Sequence, residues 1–237
     1  MKHQPPPRLV VVEDSRSFTS EAYRVLRTNL HYSNPDAPPR RILVTSAAPG
    51  EGKSTTLANL GVVLAQAERS ILLVDSDLRR PILHQMFNQR SIPGLTSYLA
   101  GDAVLPALVV KTSIPNLSLI PSGRIPPNPA ELLASRRMQE FLNAVGERYD
   151  MVLLDSPPVL AVTDACALVS NVDGVLLVVG SGMTPQVAVR RAKEQVEAAH
   201  GRILGVIVNR FNARSDGYYD YYYKKEYTHY YKKGSPS

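Results

Sequence analysis

The sequence is poor in several residue types, and each shortage excludes a class of protein. Among 237 residues there is one cysteine, Cys166, and no tryptophan. A single cysteine cannot form a disulfide within the chain, which fits a reducing compartment. No run approaches the roughly 18 consecutive apolar residues of a membrane span, and the proline-rich first residues lack the apolar segment of a secretory signal. We therefore expect a soluble cytoplasmic protein, or one that another molecule holds at a membrane.

An excess of charge is also missing. The net charge is +6, from 27 lysines and arginines against 21 aspartates and glutamates. Four of the lysines lie among tyrosines in the last twenty residues. A basic, aromatic segment can bind nucleic acid or an anionic surface. We expect no nucleic-acid partner, because the motifs described next give these tyrosines a more specific use.

Short aliphatic runs alternate with helical segments along most of the chain. Such runs indicate strands buried on both faces, as in an α/β fold with a mostly parallel sheet flanked by helices. Ligands in these sheets bind beyond the carboxyl ends of the strands. Thr184 and Pro185 are typical of the N-cap and first residue of a helix. The predicted strands are 42–45, 71–74, 116–120, 151–154, 175–179 and 203–208, and the predicted helices are 17–32, 53–66, 131–148, 164–170 and 184–200.

A phosphate loop follows the first predicted strand and opens a predicted helix. Residues 47–54 read AAPGEGKS, which matches the consensus G-x-x-x-x-G-K-[S/T] except at Ala47. Glycines let successive backbone amides point at phosphate oxygens, and the helix N-terminus adds its dipole. Lys53 can reach the β- and γ-phosphates, and Ser54 can offer its hydroxyl to Mg²⁺. The expected nucleotide contacts in this loop are Ala48, Pro49, Gly50, Glu51, Gly52, Lys53, Ser54 and Thr55.

Carboxylates follow two further predicted strands. Asp75 and Asp77 come after the strand 71–74, and alternate residues leaving a strand face similar directions. One of them can orient or deprotonate an attacking hydroxyl while the other holds Mg²⁺ or its waters. The alternative is that a strand-end carboxylate caps the next element. Asp155 ends the strand 151–154, where a carboxylate can bind Mg²⁺ through water.

The C-terminal segment 212–237 has too few aliphatic residues to form a core, and we expect it to be flexible. Together with a flexible start at 1–16, this leaves one P-loop domain at 17–211. A site that activates a γ-phosphate, joined to many potential acceptors, indicates a kinase that phosphorylates itself on tyrosine. The predicted acceptors are Tyr218, Tyr219, Tyr221, Tyr222, Tyr223, Tyr227, Tyr230 and Tyr231.

Four segments resemble the bacterial tyrosine kinases of capsule and exopolysaccharide synthesis, the BY-kinases. Residues 46–54 (SAAPGEGKS) are similar to their Walker A motif, and 74–81 (VDSDLRRP) to their Walker A′ motif. Residues 154–158 (LDSPP) are similar to their Walker B motif, and 123–135 (GRIPPNPAELLAS) to a further family segment. The tyrosine cluster also matches the family, so the resemblance covers nearly the whole chain.

The resemblance implies roles for particular residues of the nucleotide site. Lys53 and Ser54 would bind the phosphates of ATP and Mg²⁺, and Asp77 and Asp155 would lie near the metal. Asp75 would be the candidate base for the tyrosine hydroxyl, and Lys53, Asp75 and Asp77 form the expected catalytic set. Asn209 follows the last strand, where related ATPases contact adenine, although it could equally be a turn residue.

The resemblance also implies an assembly and partners. Glu21, Arg24 and Arg27 lie on one face of the first helix, where spacing alone favours an intrahelical ion pair. In the family this E-x-x-R-x-x-R motif joins neighbouring subunits, so we expect a homo-oligomeric ring, with an octamer as its size. The implied partners are a membrane-embedded polysaccharide co-polymerase that activates the kinase, and a phosphotyrosine phosphatase. The chain would then act in the cytoplasm, recruited to the inner face of the plasma membrane.

Two other functions compete with this interpretation. A MinD/ParA-type positioning ATPase would share the fold, but those proteins have a signature lysine where this sequence has Ala48. A nonenzymatic adaptor with an anion-binding tail would have no need of Lys53, Asp75, Asp77 and Asp155. We therefore favour the kinase.

Overall fold

The computed structural model describes residues 8–33 and 38–211. The predicted acceptor tyrosines, Tyr218 to Tyr231, and the segment 212–237 lie outside the described residues. Within the described part, no helix is both long enough and apolar enough to cross a bilayer.

Seven strands form one sheet in the order β3-β4-β2-β5-β1-β6-β7. Every neighbouring pair is parallel except β3 with β4, which is antiparallel at the edge. This confirms the mostly parallel sheet expected from the aliphatic runs. The strands are β1 Arg41–Ser46, β2 Ile71–Asp75, β3 Val110–Lys111, β4 Leu117–Ile120, β5 Met151–Asp155, β6 Gly174–Gly180 and β7 Ile203–Asn209.

Helices cover both faces of the sheet. Successive side chains of each strand point to opposite faces, so each strand contributes to two hydrophobic cores. Leu43 packs with α5 to α9 on one face, whereas Ile42 and Val44 pack with α1 to α4 on the other. The helices are α1 Val10–Glu13, α2 Phe18–Tyr32, α3 Lys53–Ala65, α4 Leu83–Met86, α5 Leu95–Ala100, α6 Pro129–Leu133, α7 Arg136–Gly146, α8 Asp164–Val169 and α9 Gln186–Ala198, with a 3₁₀ turn at Leu105–Ala107.

The described part of the N-terminal segment packs on the domain, which differs from the expectation of a flexible segment at 1–16. Val11 in α1 is buried, and its amide donates to the side chain of Asn59 in α3 at 3.2 Å. Ser20 in α2 donates its hydroxyl to the carbonyls of Val10 and Asp14. Burial of Val11 and these polar contacts hold α1 between α2 and α3.

Two helix predictions are corrected by side-chain capping. The predicted helix 131–148 is divided, because Ser135 has an extended backbone and its hydroxyl accepts the amide of Met138. This N-cap starts α7 as a separate helix. Thr184 does not cap α9, since its hydroxyl donates to the carboxylate of Glu51 and Pro185 occupies the cap position.

Candidate active site

The phosphate loop runs from the end of β1 to the start of α3. Gly50 and Gly52 have φ of 83° and 91°, a left-handed conformation that costs glycine little. Gly52 is also tightly packed, because a Cβ there would lie 2.1 Å from the side-chain nitrogen of Asn209. The loop therefore requires glycine at Gly52 for both its backbone conformation and its packing.

A pocket of about 470 Å³ opens at the carboxyl ends of the strands. It combines the phosphate loop with the segments that follow β2, β5 and β7, as expected for ligand sites in parallel sheets. Its basic side chains are those of Lys53, Arg79, Arg80 and Arg210. The remaining lining residues are Pro49, Gly50, Gly52, Ser54, Thr55, Asp77, Ile82, Pro157, Pro158, Ala161 and Val162.

The side chain of Glu51 is directed away from this pocket, and a contact between its backbone amide and nucleotide stays a prediction. Its carboxylate is buried and accepts the amides of Ala48 at 2.7 Å and Gly180 at 3.2 Å, together with the Thr184 hydroxyl. The amide of Ala48 is therefore committed to Glu51. The carboxylate of Glu51 links the phosphate loop to the end of β6.

Asn209 supports the same loop from the end of β7. Its side-chain amide donates to the carbonyl of Glu51 at 2.8 Å and lies against Gly52. The structure thus places Asn209 beneath the loop and not among the residues that line the pocket. Whether it contacts adenine stays a prediction.

Lys53 connects the loop to two of the predicted carboxylates. Its ammonium donates to Asp77 at 2.9 Å and lies 3.7 Å from Asp155. Burial lowers the pKa of Lys53, but Asp155 and Asp77 more than offset this effect, so the pKa lies above its ordinary value. Lys53 is therefore a protonated cation at any physiological pH.

Asp75 lies deeper than Asp77. One of its oxygens accepts the amides of Ile82 and Leu83 at 3.1 and 3.0 Å, which is the capping contact weighed as an alternative. Its other oxygen, Oδ1, is buried and has no hydrogen-bond partner within the described residues. Burial, and then repulsion from Asp155, raise the pKa of Asp75 well above its ordinary value. Asp75 thus combines a structural contact with an unsatisfied buried oxygen.

Asp155 has the features of a ligand for a hard cation. Both carboxylate oxygens are buried, and neither makes a hydrogen bond of normal geometry within 8–33 and 38–211. Burial raises the pKa of Asp155, and the nearby Lys53 and Ser54 partly offset this rise. Asp75, Asp77 and Asp155 place three carboxylates around one ammonium, so a divalent cation would reduce a local excess of negative charge.

The carboxylates do not form a complete chelating cage. Among the described residues, no three acidic, histidine or cysteine side chains converge closely enough to hold a metal alone. Mg²⁺ suits such a site, because it usually keeps several waters and takes only one or two carboxylates plus substrate phosphates. Ser54 and Asp155 fit that donor set, and Asp77 contacts the ammonium of Lys53 beside them.

Arg79 and Asp164 form an ion pair that sequence reasoning missed. Arg79 belongs to the quoted segment 74–81, but nothing local in the sequence indicated its partner. The guanidinium donates twice to the buried carboxylate of Asp164, with both distances 2.9 Å. Arg79 also lines the pocket, so the pair lies at its edge.

The three residues expected at a subunit interface are half-buried on α2. Arg24 donates to Glu21 at 2.7 Å, which is the intrahelical pair that spacing alone predicted. Arg27 donates to the carbonyl of Val63 near the end of α3 at 3.0 Å. These contacts occur within one chain, and an interface role for the three residues stays a prediction.

Comparisons with known proteins agree with these motifs. A family model described as an AAA domain matches residues 40–195. The chain is 40% identical to tyrosine-protein kinase YwqD of Bacillus subtilis (strain 168) over 218 residues, 92% of each protein. It is 35% identical to tyrosine-protein kinase Wzc of Salmonella typhimurium over 221 residues, which are 93% of this chain and 31% of Wzc.

Among solved structures, a tyrosine kinase domain matches this chain more closely than a MinD protein does. The kinase domain of Escherichia coli tyrosine kinase ETK matches with a TM-score of 0.82 and 31% identity, covering 90% of this chain and 85% of that one. The septum site-determining protein MinD of Pyrococcus horikoshii, complexed with Mg-ADP, matches with a TM-score of 0.63 and 27% identity. That match covers 73% of this chain and 71% of MinD. MinD is therefore the more distant neighbour.

Proposed function

Because the chain belongs to the bacterial tyrosine kinases, we propose that it transfers the γ-phosphate of ATP to tyrosines of its own C-terminal segment. The observation that carries this proposal is the convergence of Lys53, Asp77 and Asp155 beside a glycine-rich helix N-terminus. The acceptors lie on the same chain, beginning seven residues after Phe211.

In the proposed mechanism, the protein supplies positioning and charge. Amides of the phosphate loop and the N-terminus of α3 bind the phosphates, and Lys53 neutralises charge on the β- and γ-oxygens. Ser54 and Asp155 would hold Mg²⁺, with Asp77 beside them. When bound, Mg²⁺ would neutralise charge on the phosphate oxygens. Fixed charges aimed at the transferring group stabilise the transition state without reorganisation.

Asp75 and Asp77 are the two candidates for the base that accepts the tyrosine proton. The raised pKa of Asp75 makes its carboxylate a stronger base once it is ionised. Asp77 is closer to the pocket but is paired with Lys53. We favour Asp75, whose Oδ1 has no competing hydrogen-bond donor among the described residues. A small movement of α4 would be needed to admit a tyrosine.

Substitution of Lys53 tests the assignment of the site. We expect Lys53→Met to abolish tyrosine phosphorylation while leaving the fold intact. The matched control is Lys111→Met, which changes an exposed lysine in β3. Both proteins are made without another kinase, dephosphorylated, incubated with ATP and Mg²⁺, and analysed by mass spectrometry. Normal phosphotyrosine in Lys53→Met would refute the assignment.

We also propose that phosphorylation occurs in trans within a ring, for which we take an octamer as the size. The support is a face of α2 that combines Glu21 and Arg24 with exposed apolar side chains, Val25 at 46% and Tyr32 at 68%. An interface on this face would bring one chain's C-terminal segment near a neighbour's pocket at high effective concentration.

Mixing two defective chains tests the trans mechanism. One chain is full-length Lys53→Met, which offers acceptors but no activity, and the other is active but ends at residue 217. Phosphotyrosine on the Lys53→Met chain is the expected result. If neither chain is modified while the full-length wild type is, transfer occurs within one chain.

The resemblance further supports a role in capsule or exopolysaccharide synthesis and export. In this setting the kinase would act in the cytoplasm at the inner face of the plasma membrane, where a membrane-embedded polysaccharide co-polymerase recruits and activates it. A phosphotyrosine phosphatase would reverse the reaction. Co-purification with the co-polymerase from solubilised membranes tests this part of the proposal separately from the catalytic assignment.

A further inference from the structure

Asp164 is a buried carboxylate whose hydrogen bonds within the described residues all come from the side chain of Arg79. It is the first residue of α8, it is fully buried, and it accepts Nε and Nη2 of Arg79 at 2.9 Å each. The parallel double contact fixes both the position and the plane of the guanidinium. Hydrogen bonding to Asp164 raises the pKa of Arg79, so its charge is permanent.

The guanidinium of Arg79 is bound to Asp164 on one side and is accessible from the pocket on the other. Its side chain is 42% exposed while that of Asp164 is 0% exposed. A guanidinium has five N–H donors, and Asp164 uses two of them. The other donors, including both on Nη1, make no hydrogen bond with the described residues, and Arg79 lines the pocket with Lys53 and Ser54. Arg79 can therefore bind a further anionic group there.

The pair also joins two walls of the pocket. Arg79 lies in the turn after β2, which is closed by the amide of Arg80 donating to Asp77 at 3.0 Å. Asp164 follows the segment after β5 that contributes Pro157 and Pro158 to the lining. The same turn carries Asp77, which binds Lys53. Lys53 and Arg79 are therefore both connected to the turn after β2. Lys53 is bound to Asp77 in that turn, and Arg79 is part of it.

We propose that Arg79 contacts the terminal phosphate during its transfer and that Asp164 is the positioning residue that aims it. This inference rests on the proposed kinase function. The donors of Arg79 would add to those of Lys53 from another wall of the pocket, where negative charge spreads over the equatorial oxygens of the phosphoryl group. A planar, bidentate-held arginine suits this task better than a mobile lysine.

A purely structural role is the alternative, and a paired substitution separates the two. Removing Arg79 alone would leave the charge of Asp164 buried and unpaired, which destabilises a protein whatever its function. The double variant Arg79→Met with Asp164→Leu removes both charges and keeps apolar volume, so we expect its melting temperature to stay within a few degrees of the wild type. A structural role predicts that activity recovers with the fold.

Our proposal instead predicts a folded but slow enzyme. The initial rate of autophosphorylation in the double variant should fall about a hundredfold, as when one transition-state donor is removed. Its affinity for AMP-PNP should fall, while its affinity for ADP, which lacks the γ-phosphate, should stay within about threefold. Wild-type rates in the stable double variant, or equal losses of ADP and AMP-PNP affinity, would overturn the assignment.

Two single substitutions test the positioning role of Asp164. Asp164→Asn should lower the rate about tenfold with little change in ADP affinity, because the fork is no longer held by two acceptors. In Arg79→Lys, which cannot form the fork, adding Asp164→Asn should cause no further loss. Additive losses would mean that Asp164 does not act through Arg79. If the wild type itself makes no phosphotyrosine, the proposed function fails, and the AMP-PNP and ADP affinities still test Arg79.

Discussion

Asp75 and Asp155 are paired in register on the neighbouring strands β2 and β5, and both carboxyl groups are excluded from solvent. Burial raises the pKa of both carboxyl groups, and repulsion adds to the rise, from Asp155 at Asp75 and from Asp77 at Asp155. The ammonium of Lys53, which lies beside them, is itself paired with Asp77. The site therefore stores electrostatic repulsion at the point where phosphate transfer is proposed.

The stability of the nucleotide-free protein should fall as pH rises through the raised pKa of Asp75. Below the ordinary value of 3.8, Asp75 is protonated in both the folded and unfolded states. Between that value and the raised pKa, the unfolded chain loses the proton first, so folding is progressively disfavoured. Asp75→Asn cannot ionise, and its advantage over the wild type should grow with pH to about 1 to 3 kcal/mol.

Thermal unfolding at a series of pH values measures this difference. The control is Asp102→Asn, which changes an exposed carboxylate distant from the site in sequence. A gap between Asp75→Asn and the wild type that stays constant at every pH above the ordinary value of 3.8 would contradict the raised pKa. Asp75→Asn should also lose tyrosine phosphorylation, because the substitution that stabilises the fold removes the proposed base.

The rate of autophosphorylation should decrease as the pH falls. Titration of Lys53 should not affect the rate at physiological pH. A base must be ionised to accept the tyrosine proton, so protonation of Asp75 lowers the rate as pH falls through its raised pKa. Lys53 stays protonated because its pKa lies above the ordinary 10.5. Initial rates at saturating ATP, measured from pH 5.5 to about 8.5, check this. A rate that is flat over the acid range would exclude a base with a raised pKa.

Glu51 should stabilise the phosphate loop through its three hydrogen bonds. Glu51→Ala leaves the amides of Ala48 and Gly180 and the Thr184 hydroxyl without their acceptor. Buried donors that lose a partner cost about 1 to 3 kcal/mol each when they are not rehydrated, so we expect a loss of about 2 to 4 kcal/mol in total. The KM for ATP should rise as the loop loosens.

Chemical denaturation and ATP titration measure these two effects of Glu51→Ala. Thr184→Val removes one of the three donors and leaves the other two bonds in place, so it should cause a smaller loss of both kinds. Equal stability of Glu51→Ala and wild type would show that Glu51 does not brace the loop.

The exposed side of α2 should mediate self-association. Val25→Glu places a charge among the apolar side chains of this face, which should reduce the oligomer mass and slow autophosphorylation. Val104→Glu is the matched control, because it alters an exposed valine before the 3₁₀ turn. Light scattering on dephosphorylated samples gives the mass. Equal masses for the two variants and the wild type would exclude α2 as the interface.

Much of the fold could be predicted because its signals are local. Four consecutive apolar residues in β2 indicate a strand buried on both faces wherever it lies, and strands β1, β5 and β6 contain similar apolar runs. The short helices α4 and α5 were not predicted, because four to six residues are too few to show a helical period. The division of the predicted helix 131–148 was also missed, because the sequence alone does not show that the Ser135 hydroxyl caps a new helix.

The sequence by itself determined the phosphate loop, the strand-end carboxylates and the family, because glycine spacing and residues next in line to a strand are properties of a short segment. Only the tertiary structure decided how those groups are partnered. Arg79 and Asp164 are 85 residues apart, and Glu51 and Gly180 are 129 apart. The strand order brings such residues to one edge of the sheet, and burial there forces each polar group to find a partner. That choice of partner depends on distances across the folded sheet, which no local pattern contains.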